Sequence, residues 1–172
     1  LSTPITLGLS YYEFTNIKSY PLLPSARGNS VVSLNGTNVY ENAYRVLEAF
    51  FELETSMGPM PAGIFANYAQ NLAVSKQNLG YLLGFRLGEN KNKGDVMVSY
   101  TFREVQKDFS LATPIDSDFA SGQSDAKGHQ VRTQYALNSK ASISLIYSAA
   151  HIQVSSAKKS EDRGQLDFTL NF

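Results

Sequence analysis

Apolar and polar residues take turns along most of this chain. In PITLGLSYYEF, Ile5, Leu7, Leu9 and Tyr11 alternate with Thr6, Gly8, Ser10 and Tyr12. Side chains of a strand point to opposite faces in turn, so this period of two predicts one strand with an oily face and a wet face. The pattern recurs in YRVLEAFFELE, where Leu47, Ala49, Phe51 and Leu53 oppose Val46, Glu48, Phe50 and Glu52. It is weaker in AGIFANYAQN, and returns in LGYLLGFRLG, GDVMVSYTFRE, GHQVRTQYAL and ASISLIYSAA. The chain ends on RGQLDFTLNF, with Leu166, Phe168, Leu170 and Phe172 on one side and Gln165, Asp167, Thr169 and Asn171 on the other. These segments predict about eight strands of roughly ten residues, and no segment carries a helical period.

The connections alternate as well. SMGPMPA, GENKNKGD and LNSK are short, with Gly, Pro and Asn placed for tight turns. The stretches around TNIKSYPLLPSARGNSVVSLNGTNVYEN, QKDFSLATPIDSDFASGQSDAKG and HIQVSSAKKSEDRG are long and polar, and LAVSKQ is intermediate. Every second connection is short. Antiparallel strands with short turns at one end and long loops at the other are what an outer-membrane barrel requires.

Two architectures share this pattern. A soluble sandwich or lipocalin-like barrel would turn the oily face inward, whereas a membrane barrel turns it to lipid. Three features favour lipid. The polar faces carry small residues (Gly80, Gly84, Ser142, Ser144, Ser148), which suit a lumen better than a charged surface. Tyr and Phe sit near strand ends, as membrane-interface girdles do, at Tyr11, Phe14, Tyr44, Tyr100, Phe102, Tyr135, Tyr147 and Phe168. Strands of about 9–11 residues match a tilted bilayer span. The expectation is an all-β fold: a transmembrane antiparallel up-and-down β-barrel with about eight strands. Residues 1–172 are expected to form a single transmembrane β-barrel domain or a barrel fragment. The last strand is expected to close the barrel. Its alternating Phe168, Leu170 and Phe172 resemble the C-terminal assembly signal that bacterial outer-membrane barrels present to their insertion machinery.

Composition narrows the function. The 172 residues include 15 basic and 15 acidic side chains, a balance that gives no reason to expect nucleic acid as a partner. Cysteine is absent, which excludes disulfides, zinc-thiolate sites and Cys nucleophiles. No apolar run approaches the roughly 20 residues of a membrane helix. The first residue is Leu1 rather than Met, which predicts a processed or truncated chain.

A resemblance rests on particular pieces: GYLLGFRLG, KGD before a strand, DSDF, and KGH leading to YAL, with LGLSYYEFTNIK, GNS and MPAGIFANYAQN upstream. In that order they resemble the C-terminal part of the putative-porin family of bacterial outer membranes. The resemblance implies a larger barrel of more strands, and this chain departs from it by being short. It also implies short turns and both termini in the periplasm, and long loops outside the cell.

The chemistry-bearing residues follow from the faces. Glu48, Glu52, Arg86, Arg103, Arg132 and Asp167 fall on the lumen side. Carboxylates on one wall and guanidiniums on another would set a transverse field across a water-filled constriction. The bland alternative is an ion-pair network plugging a small barrel. Asp116, Asp118 and Asp125 are weak candidates for a divalent cation, because their loop lacks the further ligands and the turn glycine of an EF-hand. Turn-capping by these Asp side chains is the competing reading. Lys158 and Lys159 could meet lipopolysaccharide phosphates, or simply be solvated. The two histidines, His129 and His151, lack any nucleophile motif, so no enzyme activity and no cofactor are expected. The expected function is a channel for passive diffusion of small polar solutes. The alternative is a structural or adhesive barrel with a filled lumen and functional loops. Outer-membrane lipid, lipopolysaccharide and the insertion machinery are the expected partners, and an oligomer is compatible with both functions.

Overall fold

The computed structural model describes residues 4–23, 25–112 and 117–171. All eight alternating segments are strands. In chain order the elements are β1 (Ile5–Phe14), β2 (Val31–Leu34), β3 (Thr37–Tyr40), β4 (Tyr44–Met57), β5 (Met60–Asn71), β6 (Leu79–Gly88), β7 (Val96–Val105), β8 (Ala126–Asn138), β9 (Ala141–Ile152) and β10 (Lys159–Leu170). Eight of them form one antiparallel sheet in the order β1-β4-β5-β6-β7-β8-β9-β10. Apart from the β2–β3 hairpin, it is a meander in which each strand pairs with the next.

That hairpin was not expected from the alternation, which left residues 15–43 as one long loop. Its signal was present. Asn35-Gly36 joins VVSL to TNVY, and both turn residues take positive φ, 51° and 81°. Asn-Gly is the pair that a two-residue hairpin turn of this hand selects.

The register shows why the alternation is so regular. Leu7 pairs with Phe51, Phe51 with Ala66, Ala66 with Leu83, and Leu83 with Phe102. Each apolar residue thus meets another on the same face, and a one-residue slip in any strand would turn its oily side to the wet face. No second sheet covers the oily face. Leu83 is 53% exposed, Leu145 58% and Leu7 73%. A sandwich would bury such residues between its sheets, and a soluble monomer rarely leaves so large an apolar patch open. The two buried hydrophobic clusters lie instead at the long-loop end. One cluster is Ile17, Tyr40, Tyr44 and Leu111, and another is Val105, Phe119, Ala120, Ala126 and Ala150.

The outward face also carries a ladder of rings. Phe85 and Tyr100 lie 5.6 Å apart between centroids, Tyr81 and Phe102 6.0 Å, and Phe102 and His129 5.2 Å. Rings with a polar tip suit the level where hydrocarbon gives way to headgroups.

One expectation is corrected. The last strand does not close a barrel onto the first: β10 pairs with β9 and β1 with β4, and the described sheet stays open. The edges show it in their side chains, since Leu9 on β1 is 74% exposed and Leu166 on β10 72%. An eight-stranded sheet with two free edges matches a segment of a larger barrel, the second form of the expected fold. Phe172, part of the expected assembly signal, lies outside the described residues. Phe168 and Leu170 stand on the oily face, 60% and 52% exposed.

The connection between β6 and β7 is held by Asp95. Its Oδ2 accepts the backbone N–H of Asn92 at 2.7 Å and of Lys91 at 3.1 Å.

Two outcomes follow from this architecture. Leu83→Arg or Val98→Arg should destabilise the protein in lipid vesicles by about 2–4 kcal/mol if the residue sits at the bilayer midplane. Denaturant titration in vesicles reads this, and a loss near zero would mean that the face does not meet hydrocarbon. The amides of Asn92 and Lys91 hold the Asp95 carboxyl below its ordinary 3.8. Its stabilisation is therefore present above the unfolded-state pKa and lost as pH falls through the lower folded value. Asp95→Asn should be less stable than the parent at neutral pH, and the difference should vanish as pH falls through the lowered folded-state value.

Candidate functional site

The six charged residues expected to line a lumen all fall on one face of the sheet. Glu48 and Glu52 are four apart on β4. Arg86 on β6 and Arg132 on β8 share a row through Ser99 on β7. That row reaches Glu54 on β4 through Gly63. Arg103 pairs in register with Leu82, four residues before Arg86 and therefore on the same side. Asp167 on β10 pairs with Ser144.

Two of the six touch. Arg86 reaches across β5 and donates to Glu52 Oε1 at 2.7 Å, and it also pairs with Glu54. The strand between them carries Gly63 at the crossing point. A Cβ there would lie 3.0 Å from Arg86 Nε, so the missing side chain makes room for the guanidinium to lie flat. For Arg86, then, the acid and the base share a wall; they do not face each other across a gap. The other charges stand apart from this cluster. Glu48 Oε1 accepts from Asn67 Nδ2 at 2.7 Å. Arg103 stacks its guanidinium over the Phe119 ring, 4.9 Å from the centroid. Arg132 makes no ion pair among the described residues, and both oxygens of Asp167 accept from Gln165.

The connection between β7 and β8 is laid over this polar face. Near its start, Phe109 presses on Gly80 of β6, where a Cβ would come within 2.4 Å of the ring. Further along, Phe119 meets Arg103 of β7, and Ser121 donates to Glu161 of β10 at 3.0 Å. Arg163 of β10 donates to the Ser117 carbonyl at 2.8 Å and to Asp118 at 3.4 Å. The loop therefore spans the sheet from β6 to β10 on the charged side.

A buried carboxylate fixes it there. Asp108 is 2% exposed. It accepts from Tyr44 OH at 2.9 Å, Ser30 N at 3.0 Å, Ser30 Oγ at 2.6 Å and Asn42 Nδ2 at 3.0 Å. Its own carbonyl accepts from Asn71 Nδ2 at 2.9 Å, at the end of β5. Nearby, buried Asn29 donates to the carbonyls of Lys107 and Ser110 and accepts from Ala112 N. Three connections that are far apart in sequence, residues 15–43, 72–78 and 106–125, are joined through these side chains. Buried amides and carboxylates are stable only when satisfied in this way.

Of the three Asp residues considered for a cation, Asp116 lies outside the described residues. Asp118 takes the Arg163 contact, and Asp125 accepts Ser155 N at 2.9 Å and Ser155 Oγ at 2.7 Å, tying down the connection between β9 and β10. Among the described residues no three His, Cys, Asp or Glu side chains converge as metal ligands. His129 stands on the oily face, its Nδ1 2.7 Å from Tyr100 OH, whereas Asp118 contacts the charged face; the two do not form an acid–base pair. His151 Nδ1 lies 3.3 Å from Ser160 Oγ.

Sequence reading missed Glu54, Asp108, Asn29, Phe109 and Phe119 as parts of this site. Glu54 was legible: it continues the Glu48, Glu52 phase by one more step of two. The others sit in a connection without periodicity, and no spacing marked them.

A family model described as Putative porin matches residues 32–172, from β2 to the end of the chain, and the chain belongs to that family. No curated protein and no solved structure matches. β1 lies ahead of the matched residues, yet it is paired with β4 through ten residues, Ile5–Phe14.

Removing the Asp108 carboxylate tests the clamp. Asp108→Ala would leave the buried Tyr44 and the half-buried Asn42 and Ser30 donors without their acceptor, at a cost of roughly 3 kcal/mol. Because the donors lie in loops or, for Tyr44, at the very start of β4, limited proteolysis should cut residues 106–125 faster while the strand signal in far-ultraviolet circular dichroism stays unchanged. Loss of both together would mean that the sheet depends on the clamp.

Proposed function

We propose that this porin-family protein is an outer-membrane channel through which small polar solutes diffuse passively. One observation carries the reading: a sheet whose outward face is mostly apolar along the middle of its strands carries three acids on β4 and three arginines on β6, β7 and β8 on its other face, with a clamped loop laid over part of it. Ionisable groups facing hydrocarbon are costly, so a charged face this dense belongs beside water. The loop narrows the passage and sets its charge without depending on lipid.

In this reading β1 and β10 continue into further strands. Each hydrogen-bonds only one neighbour in the described sheet. A spanning sheet cannot leave an edge unpaired in lipid. The barrel that closes is then wider than eight strands, and a wider barrel leaves an aqueous lumen where eight would be filled by side chains. Short turns and the end of β10 face the periplasm, and the clamped loops face outside, where Lys158 and Lys159 meet lipopolysaccharide phosphates. Phe168, Leu170 and Phe172 are the part offered to the insertion machinery. The contacts of Arg86 with Glu52 and Glu54 favour the second reading, a filled structural or adhesive barrel, because direct ion pairing is how a filled lumen would satisfy its charges.

Conductance in a planar bilayer decides between them. The expected result is ohmic current with weak ion preference. Arg132→Glu should shift the reversal potential toward cations, since Arg132 has no ion-pair partner among the described residues whose loss would confuse the outcome. Absence of current from the folded protein would overturn diffusion in favour of the filled barrel.

A further inference from the structure

Beneath the start of the β7–β8 connection the charged face holds a cavity of about 450 Å³. Its walls are mostly apolar, which is unexpected on a face otherwise given to charge. Tyr12 and Phe14 of β1 form one side, packed edge to face with centroids 5.8 Å apart. Phe109 of the loop forms another. Glu48 and Asn67 line it together, and Arg103 lines it from β7.

Glu48 is the group that gives the cavity its chemistry. One of its oxygens accepts from Asn67, and the other accepts nothing among the described residues. It is half-buried beside three aromatic rings. A carboxylate with an open oxygen next to ring faces matches an ammonium head, through charge on one side and the ring quadrupole on the other. The apolar remainder matches a hydrocarbon or aromatic body, and the volume suits a small amphipath. The clamp around Asp108 holds Phe109 in place, so the cavity is formed before any ligand arrives.

We infer that this cavity is a binding site for solutes with an ammonium head and an apolar body, the head at Glu48 and the body among Tyr12, Phe14 and Phe109. The inference rests on the diffusion reading for its role, since a site on the wall would raise the local concentration of such solutes in the path. Binding itself does not depend on that role. Arg103, on the same lining, disfavours a second positive group and sets the orientation.

The test uses three probes of one shape: phenethylammonium, phenethyl alcohol and phenylacetate. Equilibrium binding to the folded chain in detergent micelles, read by tyrosine fluorescence, should rank them in that order. Glu48→Gln should weaken phenethylammonium about tenfold, removing its advantage over the alcohol, as loss of one charge-assisted contact would. Phe109→Leu should weaken ammonium and alcohol alike. If Glu48→Gln fails to fold, the ranking on the parent and the Phe109 variant still decide. Tightest binding of phenylacetate, equal binding of all three, or an unchanged Glu48→Gln would overturn the site. Current block measured in parallel separates the two readings. Binding without any conductance leaves the site standing and removes the channel. Conductance without the ranking leaves the channel and removes the site.

Discussion

Everything in this fold answers to one constraint: inside a bilayer no water is available to a backbone N–H or C=O. A helix meets it within itself, and no helix here is long and apolar enough to cross a membrane. Strands meet it only by pairing sideways, so each strand needs a neighbour on both edges. The long antiparallel register from β4 to β10 is the consequence. Within it, side-chain alternation is dictated, because every residue must present itself either to lipid or to the opposite face. The alternation in the sequence is this constraint written at the level of residues. The same constraint gives the two unpaired edges their meaning. Leu9 and Leu166 are more exposed than the residues of inner strands because nothing lies beside them, and in lipid that state is costly for the backbone next to them.

The loops live under the opposite rule. Outside the bilayer they can bury polar groups against one another, and they do. Asp108 with its donors and Asn29 with its carbonyls form a polar core that joins three connections. Such a core is worth little as net stability and much as geometry, since each bond fixes a direction and a lost partner is expensive. It holds a loop against the charged face, and that placement brings Phe109 over Gly80 and Phe119 over Arg103. The cavity beside Glu48 exists because the loop is held in this way.

What the sequence made legible follows the same division. Strands, their phase and the alternation of short and long connections could be read, because period two is local and repeated in each segment. The six charged residues could be placed on one face for that reason, and Glu54 could have been added. Who touches whom could not be read. Arg86 meets Glu52 because β4 and β6 are two strands apart and Gly63 lies between them, which requires the pairing register. Closure could not be read either: the terminal alternation of Phe168 and Leu170 looks the same whether the next strand is β1 or another. Asp108 gave no warning, since one Asp in a polar connection is ordinary until its neighbours in space are known. The Asn-Gly hairpin at residue 35 is the one element whose signal was plain and was passed over.

The pairing of Arg86 also bears on how a path along this face would work. Around the sheet the charge runs from Glu48, Glu52 and Glu54 on β4 to Arg86, Arg103 and Arg132 on β6, β7 and β8. Where the two signs meet, at Gly63, they are joined by direct contact and lie along the wall, so they contribute little field and take little space. Further out, Glu48 on one side accepts only an amide, and Arg132 on the other has no ion-pair partner among the described residues. The field that remains in the described sheet therefore runs along this face between these two groups. A solute travelling past would feel the acid end and the basic end in turn. Salt would weaken this field over distances beyond the roughly 10 Å of ordinary screening, but not at contact range. Selectivity would then arise at the wall, where a solute touches Glu48 and its rings, and not in the open part of the passage.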